Sequence, residues 1–210
     1  MLSTIRQNAL LLAGFAIICT GAVAVVNQLT KPIIAQQEEK ALLNTIEQLI
    51  PASLYDNDIV NSCFLVEDSE LLGKGIQQKV FVAKKSKLPV ALMLESSTFR
   101  GYSGEIKLAI GIFENGTLAG VRVLHHTETP GLGDKIQYNK SRWIDVFKGK
   151  SYQNSQEKRW EVKKYGGDID AFTGATITPR AVTLAIRDAL IYFQKNRDFL
   201  FNQAPNCGSK

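Results

Sequence analysis

At 210 residues the chain is long enough for one membrane anchor and one domain with a substantial core. Its 45% hydrophobic and 21% charged residues are ordinary for a globular protein. The net charge of +5 comes from scattered Lys and Arg without interleaved aromatics, which argues against a nucleic-acid partner and suits solvated faces near an anionic membrane.

Met1 to Asn8 is short and polar, with Arg6 its only charged side chain. Ala9 to Val26 is then an unbroken apolar or small run, and no further charge appears until Lys31. A helix crosses a bilayer in about 20 such residues, so residues 1–30 are expected to form one N-terminal transmembrane helix in the lipid bilayer. Ala22-Val23-Ala24 resembles a signal cleavage site, but the apolar run outlasts the ~7–15 residues of a signal core, which favours a retained anchor. Arg6 on one side and Lys31 and Lys40 on the other leave the orientation open.

Residues 31–52 read as a helical stalk. Ala41, Leu42, Thr45, Ile46 and Leu49 form its apolar stripe and Pro51 ends it; it is expected to continue from the anchor, with a kink at Pro32, and to pack on the domain. The domain proper is expected over 53–201. Phe64–Val66, Val80–Val82 and Val90–Leu94 are short apolar runs between polar turns, the pattern of strands. Lys107 to Ile112 and Leu118 to Leu124 flank Asn115-Gly116, which signals a hairpin with a type I′ turn. Trp143, Val146 and Phe147 have the spacing of one helical face; with Trp160, these aromatics suit a core better than a ligand. Residues 202–210 read as a polar, loose tail.

The three cysteines, Cys19, Cys63 and Cys207, form no Cys-x-x-Cys, so they offer no iron–sulfur or zinc site. Cys63 and Cys207 are free to pair if the domain lies outside the cytoplasm. His125, His126 and Glu128 are the residues closest to a metal-ligand set, with Asp168 and Asp170 a second. Two histidines and an Asp-x-Asp turn are a poor set, and no metal is expected.

Two stretches carry the chemistry. Thr173-Gly174-Ala175-Thr176-Ile177-Thr178-Pro179 runs into a helical pattern over Ala181 to Phe193, with Thr178 a good N-cap and Pro179 suited to the first helical position. Thr176 therefore sits by a helix N-terminus, where free N–H groups favour an anion such as phosphate. Arg180, in the first turn, is a better candidate than Lys135 to touch that phosphate. Upstream, Gly101-Tyr102-Ser103-Gly104-Glu105-Ile106 and His125-His126-Thr127-Glu128-Thr129-Pro130-Gly131-Leu132-Gly133 bracket the hairpin, and the second is a close-approach loop able to lie against a flat ring. No Gly-x-Gly-x-x-Gly follows a strand, so the chain is not expected to be a nicotinamide dehydrogenase by itself, and no catalytic residue is assigned.

These motifs, in this order, resemble the FMN-binding domain family of Rnf-type ion-translocating oxidoreductase complexes and of sodium-pumping NADH:quinone reductases. One anchor with one compact domain is closer in length to the G subunits of the former than to the longer C subunits of the latter. The resemblance implies an α+β domain, an antiparallel sheet with packed helices, and FMN covalently attached through its phosphate to Thr176. Thr173, Gly174, Ala175 and Thr178 would surround the phosphate, and Glu128, Thr129, Pro130, Gly131, Leu132 and Gly133 would wrap the isoalloxazine. It further implies other membrane subunits of an electron-transport complex as partners. A flavin transferase using FAD and Mg²⁺ would mature the protein. The FMN domain would face the periplasm from the bacterial inner membrane, with the N-terminus inside. Thr173 stands where the family more often has Ser, and Pro179 where a small polar residue is common; neither removes the acceptor hydroxyl. The competing expectation is a membrane-tethered ligand-binding or redox-sensing module without covalent flavin.

Overall fold

The computed structural model of the chain describes residues 2–153 and 158–207. Its N-terminal helix α1 spans Leu2–Leu49 without interruption, Pro32 included. The helix runs on through Pro32 from anchor into stalk. Leu11, Leu12, Phe15, Ile17 and Ile18 are all exposed. A run of this length and apolarity can cross a membrane. The chain divides into two compact units between Asn44 and Thr45.

The second unit is built on five antiparallel strands in sequence order: β1 (Phe64–Val66), β2 (Gln78–Lys85), β3 (Leu88–Thr98), β4 (Ile106–Phe113) and β5 (Leu118–His126). All five match the apolar runs read from the sequence. One face carries Val80, Val82, Leu92, Leu94, Leu108, Ile110, Ile112 and Val121 into a core shared with helix α2 (Ile177–Asn202). From α2, Val182, Ile186, Ala189, Leu190 and Phe193 bury the opposing stripe. Each buried Val, Leu, Ile or Phe among them contributes about 1.5–3 kcal/mol relative to exposure. The other face is smaller in side chain and is also buried, through Phe81, Ala83, Ala91, Met93 and Ala109. There Gly111 and Gly120 pair across β4 and β5, and a Cβ on either would come within 3.1 or 3.2 Å of Leu49 from the last turn of α1.

Both edges of the sheet are occupied. Gly149 and Lys150 exchange backbone hydrogen bonds with Leu118 on β5. On β1, Asn206 and Cys207 donate their N–H groups to the Cys63 carbonyl, and Asn206 Oδ1 accepts from Leu65. A disulfide joins Cys63 and Cys207, whose Cα atoms are 5.4 Å apart. The tail is thus pinned as far as Cys207, against the expectation of a loose segment; the rest of that segment lies outside the described residues. Covering the edges removes open templates for strand addition.

One turn differs from the sequence reading. At Asn115-Gly116 the hairpin forms, but only Gly116 has positive φ (82°), and its N–H reaches the Phe113 carbonyl at 2.8 Å. Asn115 Oδ1 instead accepts from the Thr117 N–H, which holds Asn115 out of the left-handed region. The two-residue turn with both φ positive lies elsewhere, at Ser86 (51°) and Lys87 (68°) between β2 and β3. Asp56 Oδ2 accepts the Ser86 N–H at 2.8 Å and helps hold it.

Residues Arg142–Phe147 form a 3₁₀ helix rather than an α-helical face. Phe147 is fully buried and Trp160 nearly so, while Val146 is exposed. Trp143 meets Phe147 and Phe172 edge-on, and its Nε1 donates to the Asp170 carbonyl at 2.6 Å. These rings thus brace the approach to the Thr173–Thr178 stretch.

Candidate functional site

The end of β5, the glycine loop after it and the N-terminus of α2 converge on a cleft of about 380 Å³. Its walls are Tyr102, Glu128, Thr129, Leu132, Gly133, Gly174, Ala175, Thr176, Ile177 and Thr178. The volume lies within the ~300–1,000 Å³ usual for small-molecule sites.

Thr176 occupies the N-cap position of α2, ahead of the Thr178 cap read from the sequence. Its backbone is in the right-handed helical region, its side chain makes no cap, and among the described residues its hydroxyl has no hydrogen-bond partner. The N–H groups of Ile177 and Thr178 open the helix and have no intrahelical acceptor. Thr176 is half-buried on the cleft wall, at the end of the helix where these donors lie. The approach is fixed by Gly174, in the left-handed region at φ 81°, and by the Ala175 N–H, which donates to the Phe172 carbonyl.

Thr178 is released from capping because its hydroxyl goes elsewhere. It is 1% exposed and donates to Glu128 Oε2 at 2.5 Å, across 50 residues of sequence. Glu128 Oε1 accepts the Ser103 N–H at 3.1 Å, while Thr127 returns its hydroxyl to the Ser103 carbonyl at 2.6 Å. One carboxylate therefore ties together the Gly101–Gly104 turn, the loop after β5 and the start of α2. Two glycines admit it. A Cβ on Gly101 would lie 2.6 Å from Glu128 Oε1, and one on Gly133 would lie 2.8 Å from both Glu128 Oε2 and Thr178 Oγ1.

The glycine loop turns its donors inward. The N–H groups of Leu132, Gly133 and Asp134 all point at the Thr129 carbonyl, at 3.2, 3.1 and 3.4 Å. They close the loop on itself. Leu132, 44% exposed, reaches the Thr-Gly-Ala-Thr segment, where a Cβ on Gly174 would lie 3.7 Å from its Cδ2.

Of the expected residues, Thr176, Gly174, Ala175, Thr178, Glu128, Thr129, Leu132 and Gly133 are brought to the cleft. Thr173, Pro130 and Gly131 are exposed and outside its lining. Arg180 does not face it as a free cation: its guanidinium forks onto Glu161 at 2.9–3.0 Å and stacks on Tyr165. Asp168 and Asp170 pair with Arg159 and Lys163. His126 Nδ1 accepts the Glu128 N–H at 3.0 Å. Among the described residues no cluster of His, Cys, Asp and Glu has metal-binding geometry.

Sequence reasoning did not single out Tyr102 and Ile177 as cleft walls. They are 71% and 50% exposed, large apolar side chains held in solvent around the site. Both lie within the Gly101–Ile106 and Thr173–Pro179 stretches, and that was their signal in the sequence.

Residues 101–191 match the FMN-binding domain family, and residues 1–49 match the RnfG N-terminal region. The chain is similar over its whole length to proteins named as the G subunit of the ion-translocating oxidoreductase complex. That of Shewanella loihica is 46% identical over 99% of this chain and 98% of the relative. That of Photorhabdus laumondii is 46% identical over 100% of both, and that of Vibrio cholerae 45% identical over 99% of both.

Proposed function

The chain belongs to the G-subunit family of ion-translocating oxidoreductase complexes, and on that basis we propose that it is an electron-transfer subunit holding FMN through a phosphoester to Thr176. The observation that carries this is Thr176 at the N-cap of α2, on the wall of a cleft, with a hydroxyl that has no hydrogen-bond partner among the described residues. A phosphodiester fits there: the donors and the positive end of the helix dipole accept its charge. The apolar exposed rings and chains of Tyr102, Leu132 and Ile177 fit a flat aromatic group. FMN supplies reversible electron uptake and release, and the protein supplies position and environment.

Attachment needs an outside enzyme, because among the described residues no base is hydrogen-bonded to the Thr176 hydroxyl. With FAD as donor, Thr176 Oγ1 takes the FMN phosphoryl group, the pyrophosphate bond breaks, AMP leaves and the hydroxyl proton is released. A flavin transferase with Mg²⁺ performs this step. Other membrane subunits of the complex deliver and remove electrons.

The domain is assigned to the periplasmic side of the bacterial inner membrane, with the N-terminus of α1 inside. The Cys63–Cys207 disulfide supports that side, since such bonds persist in oxidising compartments.

The test is the intact mass of the denatured full-length protein after co-expression with a flavin transferase, beside Thr176→Val. Wild type should gain one FMN-phosphoryl unit and the variant none. An unmodified wild type, with the transferase active on another target, would refute the assignment.

A further inference from the structure

The buried carboxylates of this domain are matched with cations, with one exception among the described residues. Glu95 pairs with Lys107 at 2.7 Å, Asp134 faces Lys140 at 4.0 Å, and Asp188 holds Arg100 at 2.6 Å and Arg187 at 2.9 Å. Glu128 is 5% exposed and, among the described residues, makes no ion pair. Both of its oxygens are hydrogen-bonded, to the Ser103 N–H and to Thr178 Oγ1. A buried charge without a counter-ion is costly, and the backbone makes room for this one with two glycines. It stands on the wall of the same cleft as Thr176.

We propose that Glu128 sets the reduction potential of the flavin held in this cleft, through an uncompensated negative charge on the cleft wall. The proposal rests on the FMN reading above. Full reduction by two electrons and one proton adds one negative charge to the flavin ring. The electrons come from the upstream carrier of the complex or, in a titration, from dithionite. Glu128 opposes that added charge, and screening is weak where water is excluded. The carboxylate thereby lowers the potential, and the Thr178 hydroxyl and Ser103 amide moderate its effect by partly neutralising it.

This assigns opposite signs to two substitutions at one hydrogen bond. Glu128→Gln keeps the side chain's shape and removes the charge, so the midpoint potential should shift positive. Thr178→Val keeps the charge and removes its strongest donor, so the potential should shift negative. A residue that merely braced the three loops would give shifts of the same sign, or none, because both changes loosen the same contact.

The experiment is a spectroelectrochemical titration of the full-length flavinylated protein in detergent: wild type, both variants, and Glu67→Gln as an exposed-charge control. A positive shift for Glu128→Gln, a negative shift for Thr178→Val and none for Glu67→Gln supports the proposal. Shifts of one sign in both, or a Glu128→Gln potential equal to the control's, overturns it. If Glu128→Gln retains no flavin, Thr178→Val decides alone: a negative shift supports, anything else overturns. Intact mass is read separately. If the flavin is retained but not covalent, the Thr176 assignment fails while the titration still tests Glu128.

Discussion

Reducing the Cys63–Cys207 bond should loosen the domain by a large and calculable amount. The two cysteines are separated by 144 positions, so the bond closes most of the domain into one loop. Chain-entropy arithmetic for a loop of that length gives about 17 cal/mol/K, or about 5 kcal/mol at 25 °C. The native contacts of the tail survive reduction: Asn206 and Cys207 still reach the Cys63 carbonyl, and Asn206 still receives Leu65. They cost ordering entropy to keep, so a realised loss of about 2–5 kcal/mol is expected. At ~2–4 °C per kcal/mol for a chain of this size, the unfolding midpoint should fall by roughly 5–20 °C. The assay is thermal unfolding of the full-length protein in detergent, with and without a phosphine reductant, on a Cys19→Ser background that removes the free thiol. Thiol counting beforehand confirms the oxidised state. Equal midpoints for oxidised and reduced protein would refute the reasoning, since the loop would then close at no entropic gain. Two free thiols in protein purified from the membrane would remove the argument for an oxidising compartment as well.

Gly133→Ala should disrupt the site from within. Its methyl would stand 2.8 Å from Glu128 Oε2 and Thr178 Oγ1, so the carboxylate must move and its short hydrogen bond must break. A loss of about 2–4 kcal/mol is expected in urea unfolding, together with poor flavin loading by intact mass; wild-type behaviour in both would show that the loop yields freely. Lys87→Gly relieves a left-handed lysine at φ 68° and should stabilise the β2–β3 hairpin by about 0.5–1 kcal/mol, read from the same unfolding curves. Tyr192 has its pKa raised above 10.0, first by burial and then by Asp68. The neutral phenol is therefore favoured in the folded state, so its stabilising contribution is complete below the unfolded value and is lost as pH rises through the folded one. Tyr192→Phe should flatten the alkaline fall in urea midpoint that begins near pH 10; an unchanged slope would place the titrating group elsewhere.

The parts of this protein legible in its sequence are those fixed by neighbours along the chain. The uncharged run after Asn8 is long and apolar enough to cross a membrane as one helix, its backbone groups satisfied within it. The five strands follow from short β-rich runs, and the head of α2 from a Gly-Ala-Thr step into a 3.6-residue pattern, so eight of the expected site residues line the cleft. What only the tertiary structure decided are choices between competing partners. Thr178 was a plausible cap until folding brought Glu128, 50 residues away, within 2.5 Å of its hydroxyl. Arg180 was a plausible phosphate ligand until Glu161 took its guanidinium. The left-handed turn went to Ser86-Lys87, with Asp56 holding it, while Asn115 spent its side chain on Thr117. The tail reads as loose because nothing near it in sequence could hold it; Cys63 does so from the far end of the domain. A polar group's local options are written in the sequence, but which option wins depends on what the fold places beside it, because a buried polar atom must find a partner wherever one is within reach.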